Sequence, residues 1–445
     1  DMTPSKPLHE RVLGRHALGC LSDSAVHGHC PRGHRGRLGV EERDATATTL
    51  LPTRRSGADP MRASEAELTL GPVDDVPTEG PVGDELHRWA SARPVDRAGL
   101  EQLVERAEEL VHTDPTSAER LCRLAVDGAD AADVVPDAPD LVARARYTWA
   151  RVCAERGELE RALHLITTAR AEHLGAGDEL AALRTDLGRM QVLDDLGRHG
   201  AAVEVGEELL LAIETVTVRA DQEELRSLVR AAGLCNIGVA HSFTGDHERS
   251  LECYAASEAA YRALQMPLQV AQQQANRGIE VLALGRARES TQCLAAARDA
   301  FDRAGDPLWS AKCAVHLAEG LHQLGSLVEA LAVLEAARVT LAELGAHAEE
   351  VRVRLATGRA YLAAGLYAEA RAACADAASR ADEHELRHDA GFARFTLALA
   401  LIGLDDLSGA GGELDRATAH FAAAADRQYL ARVRLTRAEL AILRD

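Results

Sequence analysis

Six glycines recur along the chain at spacings of 40, 48, 40, 40 and 40 residues: Gly157, Gly197, Gly245, Gly285, Gly325 and Gly365. They sit in the segments RGELERAL, LGRHGAAV, TGDHERSL, LGRAREST, LGSLVEAL and AGLYAEAR. One further step of 40 reaches Asp405 in LDDLSGAG, and 44 back from Gly157 lies Thr113 in HTDPTSAERL. Three columns of small residues keep the same register. Seven positions before each turn stand Ala150, Met190, Gly238, Gly278, Ala318, Gly358 and Ala398. Five after it stand Ala162, Ala202, Ser250, Ser290, Ala330, Ala370 and Ala410; twelve after it stand Ala169, Leu209, Ser257, Ala297, Ala337, Ala377 and Ala417. A small residue on each of two antiparallel helices lets their backbones approach closely, and a glycine between them can take the positive φ that reverses the chain. The pattern predicts eight helical hairpins stacked in series.

Composition supports helices. Apolar residues make up 47% of the 445 and aromatics only 3%, so the core is built from Ala, Leu and Val, which suits close helix packing better than sheets. A 3.6-residue period runs from about Asp84 to Asp445. Residues 1–60 show no sustained period, and 65–83 are acidic and broken by Pro and Gly; residues 1–83 are therefore expected to be a disordered region and acidic linker, with 84–445 as the repeat domain. Met61 is a candidate start. The eight extra residues between Gly197 and Gly245 amount to about two helical turns and are expected to lengthen helices around ETVTVRADQEELRSLVRAAG. Residues 426–444 form one more helix, expected to cover the end of the array.

Charge and motif content narrow the function. A net charge of −20 argues against nucleic-acid or anionic-membrane partners. The two lysines, Lys6 and Lys312, are not preceded by glycine, so no GxxxxGK[ST] phosphate loop exists. Nine cysteines without a CxxC read as reduced thiols, no 18-residue apolar run spans a membrane, and the start is too charged for a secretory signal; a cytoplasmic protein is expected.

The columns resemble the tetratricopeptide repeat, best matched by CNIGVAHSFTGDHERSLECY (235–254) and ANRGIEVLALGRARESTQCL (275–294). The likeness covers roughly 97–444, and the 40-residue period is similar to a longer bacterial subtype found in sensor halves of transcription activators and in arrays preceding caspase-like CHAT peptidase domains. Departures are Asp405 at a turn, Met190 and Leu209 in small columns, and no regular closing proline. The resemblance implies an all-α fold: a right-handed α-solenoid of about eight hairpins plus a C-terminal capping helix. It also implies a scaffold that holds a protein or peptide partner on a concave face lined by the first helix, A, of each hairpin. The alternatives are the regulatory half of a larger CHAT-type peptidase and the effector-sensing region of a transcription regulator.

Inner-face positions carried over from the family lie thirteen, ten, six and three residues before each turn. They include Arg144, Tyr147 and Arg151; Arg184 and Gln191; Lys312, Glu319 and His322; Arg352 and Arg359; and Phe392 and Phe395. Six of these are cations in an acidic chain, which suggests a groove for an acidic segment with an apolar pocket near Phe392 and Phe395. The plainer alternatives are that an arginine-rich chain places some on every face, and that the phenylalanines pack under the capping helix.

No catalytic, metal or cofactor residues are assigned. His384-Glu385-Leu386-Arg387-His388 matches HExxH literally, but the register puts its histidines on either side of an inter-repeat turn, and Arg394 occupies the third ligand position of the extended motif. Cys20, His27, His29, Cys30 and His34 match no familiar zinc spacing. The repeat cysteines sit in packing columns, with Cys253 and Cys293 equivalent and Cys374 one residue further on. His316, Glu319 and His322 share one helical face and are expected to serve hydrogen bonding rather than metal binding.

Overall fold

Left-handed backbone recurs every twenty residues rather than every forty. Gly157, Gly177 and Gly197, then Gly245, Gln265, Gly285, Gly305, Gly325, Gly345 and Gly365, and finally Asp405, all have positive φ between 57° and 81°. The computed structural model describes residues 97–131, 138–384, 386–423 and 427–444. The expected disordered region, its linker and the start of the repeat domain at 84–96 lie outside the described residues. So does the Cys/His group of residues 20–34.

Seventeen α-helices and no strand occur among the described residues. Alternation of A and B helices gives eight pairs by sequence register and a final single helix. The first unit, ending at Thr244, holds α1 (Arg97–Leu110), α2 (Pro115–Ala131), α3 (Pro139–Glu155), α4 (Leu159–Gly175), α5 (Glu179–Asp195), α6 (His199–Thr215) and α7 (Glu223–Phe243). The second, from Gly245, holds α8 (His247–Ala263), α9 (Pro267–Ala283), α10 (Ala287–Ala304), α11 (Pro307–Gln323), α12 (Leu327–Glu343), α13 (His347–Ala363), α14 (Tyr367–Glu383), α15 (Arg387–Gly403), α16 (Leu407–Ala423) and α17 (Arg427–Arg444). Within each unit, successive helices pack side by side and A helices also touch the next A helix.

The left-handed turns share one way of closing, shown by Gly157. The amide of Gly157 donates to the Ala154 carbonyl and that of Glu158 to the Cys153 carbonyl, both at 2.9 Å, so two otherwise orphaned carbonyls are satisfied only if Gly157 is left-handed. Several following helices then start on an aspartate: Asp178 accepts from the Ala181 amide at 2.9 Å, Asp306 from Trp309 at 3.1 Å and Asp406 from Gly409 at 2.8 Å. Proline opens α2, α3, α9 and α11, where its missing N–H costs nothing.

The three small columns are the helix seams. Every alanine, serine, methionine and leucine in them is at most 5% exposed. The Met190 departure is compensated in place. Gly206 of α6 stands nine after its turn, where α4, α8, α10, α12 and α16 carry Ile166, Tyr254, Leu294, Leu334 and Leu414, and a Cβ there would strike Ile237 and come within 2.6 Å of Met190 Cε. Large and small have exchanged sides of one seam, which conserves volume. Asp405 takes the left-handed turn (φ 64°) in glycine's stead.

The eight extra residues are shared differently from the expectation. α6 keeps 17 residues, like most of its neighbours, and does not lengthen. Extended backbone at Val216 and a 3-10 turn over Ala220–Gln222 absorb half of the insertion, and α7 takes the rest by growing to 21 residues. The stretch TVTVRADQ carries β-branched and capping-type residues that favour leaving the helix at that point.

Candidate functional site

In the first unit the expected inner face is built by α1, α3 and α5. Arg144 of α3 reaches back to Glu108 of α1 in a bidentate pair, 2.7 Å for each bond, and the pairing raises the guanidinium's already high pKa. One turn further along α3, the phenol of Tyr147 lies on Gly188 of α5; a Cβ at Gly188 would come 2.6 Å from the hydroxyl oxygen. The aromatic seat exists because Gly188 has no side chain. Arg184 and Gln191 stand one turn before and one turn after Gly188 on the same face of α5. Both are half-buried, and neither makes a hydrogen bond or ion pair among the described residues. Arg151 Nη2 lies 3.3 Å from His112 Nε2, whose Nδ1 is in turn 3.2 Å from Glu155. Asp194, at the end of the α5 row, is buried and paired with His199 Nδ1 at 3.0 Å.

The equivalent rows of α7 and α9 are closed. Ala232, Cys235, Val239 and Ser242 in the first unit, and Gln272, Ala275, Ile279 and Leu282 in the second, are all buried. Register alone therefore does not make a position accessible.

In the second unit α11 and α13 carry the remaining cations, and the positive face expected there is locally neutralised. Lys312 of α11 lies 3.5 Å from Glu349 of α13 and also sits over the Trp309 ring at 4.9 Å. Arg352 of α13 reaches Asp389 of α15 at 3.4 Å and its own helix's Glu349 at 3.8 Å. Arg359 donates to Glu319 of α11 at 3.4 Å. For Lys312 and Arg352 the cause is the repeat itself: a cation thirteen before one turn meets an anion sixteen before the next, whereas Arg359 and Glu319 occupy the same position, six before their turns, in successive repeats. Three positive side chains thus face three carboxylates, and this stretch is locally neutral.

His316 is buried beneath the pair Glu319–Arg359, with no hydrogen-bond partner for Nδ1 among the described residues. Burial, and then the positive charge of Arg359, hold its pKa down to about 4. The same two causes lower His322, whereas burial raises Glu319 and Arg359 draws it back.

Phe392 is not a pocket wall. It is 4% exposed and meets Tyr429 of α17 edge-on at 4.3 Å and Phe421 of α16 at 5.2 Å. Phe395 stays half-buried with its centroid 6.0 Å from Tyr429. Both belong to the core cluster under α17, because an array's last full hairpin must bury its outer face on something. The missed signal was Tyr429, the one aromatic in the final helix.

The HExxH histidines do straddle a turn. His384 caps the end of α14 and stacks on His347 of α13 at 4.2 Å, whereas His388 lies in the first turn of α15, edge-on to Phe392 at 4.5 Å. Glu385 lies outside the described residues. No group of three or more potential ligands converges among the described residues. Cys122, Cys153, Cys235, Cys313 and Cys374 are buried and none of them is in a disulfide; burial pushes the Cys153 thiol up to about 11 and those of Cys313 and Cys374 to about 12, far from a reactive thiolate. No described helix is long and apolar enough to cross a membrane.

No protein-family model matches the sequence, and no curated protein does. Solved structures do. The apo form of RapI superposes with a TM-score of 0.51 at 13% identity, over 62% of this chain and 96% of that one. A signal-transduction ATPase with numerous domains and a tetratricopeptide repeat sensor, from Pyrococcus horikoshii, gives 0.51 at 12% identity over 78% of this chain, which spans 50% of that protein. A tetratricopeptide repeat protein from Parabacteroides merdae gives 0.44 at 16%, over 68% and 98%. The fold is a tetratricopeptide-type helical array. Its hairpins, left-handed turns and small-residue seams are those the sequence columns call for.

Proposed function

We propose that the array is a non-catalytic scaffold that holds a segment of a partner protein against α3 and α5. The observation carrying this reading is the patch around Gly188: an aromatic ring seated on a glycine, with Arg184 and Gln191 a turn to either side and both without a partner among the described residues. Half-buried, unengaged polar groups beside a fixed aromatic are what an extended segment uses for register and specificity. An acidic side chain of the partner pairs with Arg184. The acidic preference is thereby confined to this patch, since the cations of α11 and α13 already have carboxylates. The buried thiols, none of them in a disulfide, fit a reducing compartment, and the cytoplasm is the proposed location.

The test is an array of synthetic acidic peptides and their amidated, uncharged counterparts, read by fluorescence anisotropy. Acidic peptides should bind more tightly, and Arg184→Glu should weaken them by about tenfold or more, while Arg359→Glu leaves the preference for acidic peptides in place. Equal binding of charged and amidated peptides would remove the acidic preference. Retention of native-source partners by a Tyr147→Ala/Arg184→Glu double variant would remove the site.

A further inference from the structure

The row that α1 turns toward α3 holds engaged groups at both ends and spare ones between. Arg97, Glu101, Glu105, Glu108 and, just past the helix, His112 follow one another at steps of four, four, three and four, which is one side of a helix. Arg97 donates twice to Asp140 of α3, at 3.1 and 2.6 Å. Glu108, about three turns on, accepts from Arg144 at 2.7 Å, and His112 meets Arg151 and Glu155. Glu101 and Glu105 therefore lie between residues already joined to α3, not on the outer side of α1. Both are exposed, and neither makes a hydrogen bond or ion pair among the described residues. Their negative field reaches Arg144 and helps to keep its guanidinium charged.

The opposite border of the same face, on α5, is positive. Arg184 stands there half-buried and without a partner among the described residues, and the Tyr147 ring on Gly188 lies between the two borders. On α11 and α13 opposite charges are within reach, and each cation there has a carboxylate within 4 Å. On the first-unit face the spare anions and the spare cation are two helices apart. Packed helices are about 8–10 Å from axis to axis, so the borders are separated by about 16–20 Å, beyond the screening length of about 8 Å at physiological salt. They cannot cancel each other.

Resting on the reading of α3 and α5 as a partner site, we infer that its occupant is an extended segment of mixed charge, with a lysine or arginine on Glu101 and Glu105 and a carboxylate on Arg184. An extended chain advances about 3.3 Å per residue, so the two charges of the occupant are about five or six residues apart, and the residues between them cross the Tyr147 ring. A uniformly acidic segment gains Arg184 but meets like charge at α1; a uniformly basic one gains α1 and meets like charge at Arg184. The two borders thus select for charge order along the segment as well as for charge.

The test titrates the full chain against three fluorescent peptides of one uncharged sequence. They carry Lys and Glu, Glu and Glu, or Lys and Lys at two positions about six residues apart, and anisotropy is read in about 0.1 M salt. The Lys/Glu peptide should bind at least about threefold tighter than either of the others. Glu101→Lys with Glu105→Lys should hand the preference to the Glu/Glu peptide, and Arg184→Glu should hand it to the Lys/Lys peptide. Helical circular dichroism should stay unchanged, because none of the three side chains is buried. Glu101→Gln with Glu105→Gln should erase the advantage of Lys/Glu over Glu/Glu without reversing it. An α1 Lys double variant that keeps the original preference overturns the inference. So does tightest binding of the Glu/Glu peptide by the unaltered chain; if Arg184→Glu abolishes that binding, the α3–α5 site stands without an acidic border. Failure of all three peptides to bind removes the site itself, and the inference with it.

Discussion

The face of α3 and α5 in the first unit and that of α11 and α13 in the second both place a cation thirteen residues before each turn, yet differ in what those cations have left to give. In the second, Lys312, Arg352 and Arg359 are each within 4 Å of a carboxylate one repeat away. In the first, Arg144 is held by Glu108, but Arg184 has no such carboxylate. A basic residue on a repeat face is therefore a structural part or a recognition part according to its neighbour 36–40 residues away, not according to its own position.

Glycine substitutions break the comparison most sharply. A Cβ at Gly358 of α13 would collide with Cys374 inside a seam where the α14 backbone is also close, whereas one at Gly188 of α5 meets only the outer end of the Tyr147 ring. Gly358→Val should cost about 3 kcal/mol in urea unfolding. Gly188→Ala should stay within about 1 kcal/mol, helped by alanine's helix preference, and instead displace the Tyr147 ring and lower affinity at that patch. If both variants lost equal stability, the first-unit patch would be ordinary core.

Acid gives the next effect. The unfolded chain protonates His316 near its ordinary pKa of 6.5, but the folded protein does so only near 4. Between these values the unfolded state binds more protons, so stability falls as pH drops from 6.5 toward 4 and levels off below. At pH 5 the loss relative to pH 7 is about 2 kcal/mol, and His316→Asn should remove that part of the pH dependence. Asparagine already occupies the same register position in α7 and α9, as Asn236 and Asn276, so the variant borrows the repeat's own alternative. Unfolding curves at pH 7 and pH 5 for both proteins check it.

The smallest difference is electrostatic. Arg352→Ala leaves the half-buried Glu349 and the buried Asp389 with a partner missing and should cost about 1 kcal/mol or more; Arg184→Ala should cost less than about 0.5 kcal/mol in the same assay. Reversal of that order would dissolve the distinction between the two faces.

Much of the fold was legible because turns and seams are local and recur. Gly157 to Gly365 and the alanine columns fix hairpin number and register, and even the irregular Asp405 was found by counting. The second set of left-handed turns at Gly177, Gly305 and Gly345 is harder to see, partly because Gln265 interrupts it; the Gly-Asp pairs at 177–178 and 305–306 are its signal. The site was less legible. Family positions gave Arg144, Arg359 and the rest, but which of them are neutralised depends on anions such as Glu108, Glu319, Glu349 and Asp389. Those were not read along the same period, although the period predicts their proximity. The closed rows of α7 and α9 could not be seen from residue type, since Gln272 is polar and buried while Arg184 is polar and part-open.

The twenty-residue step also governs how such a chain can change length. One added residue inside a helix swings every later side chain by about 100°, out of its groove and into the next. The segment 216–222 is where the count slips without that penalty, since extended backbone forgets the rotation of the helix before it. It is the place in this molecule where new sequence, or a whole additional hairpin, can be spliced with the downstream phase preserved.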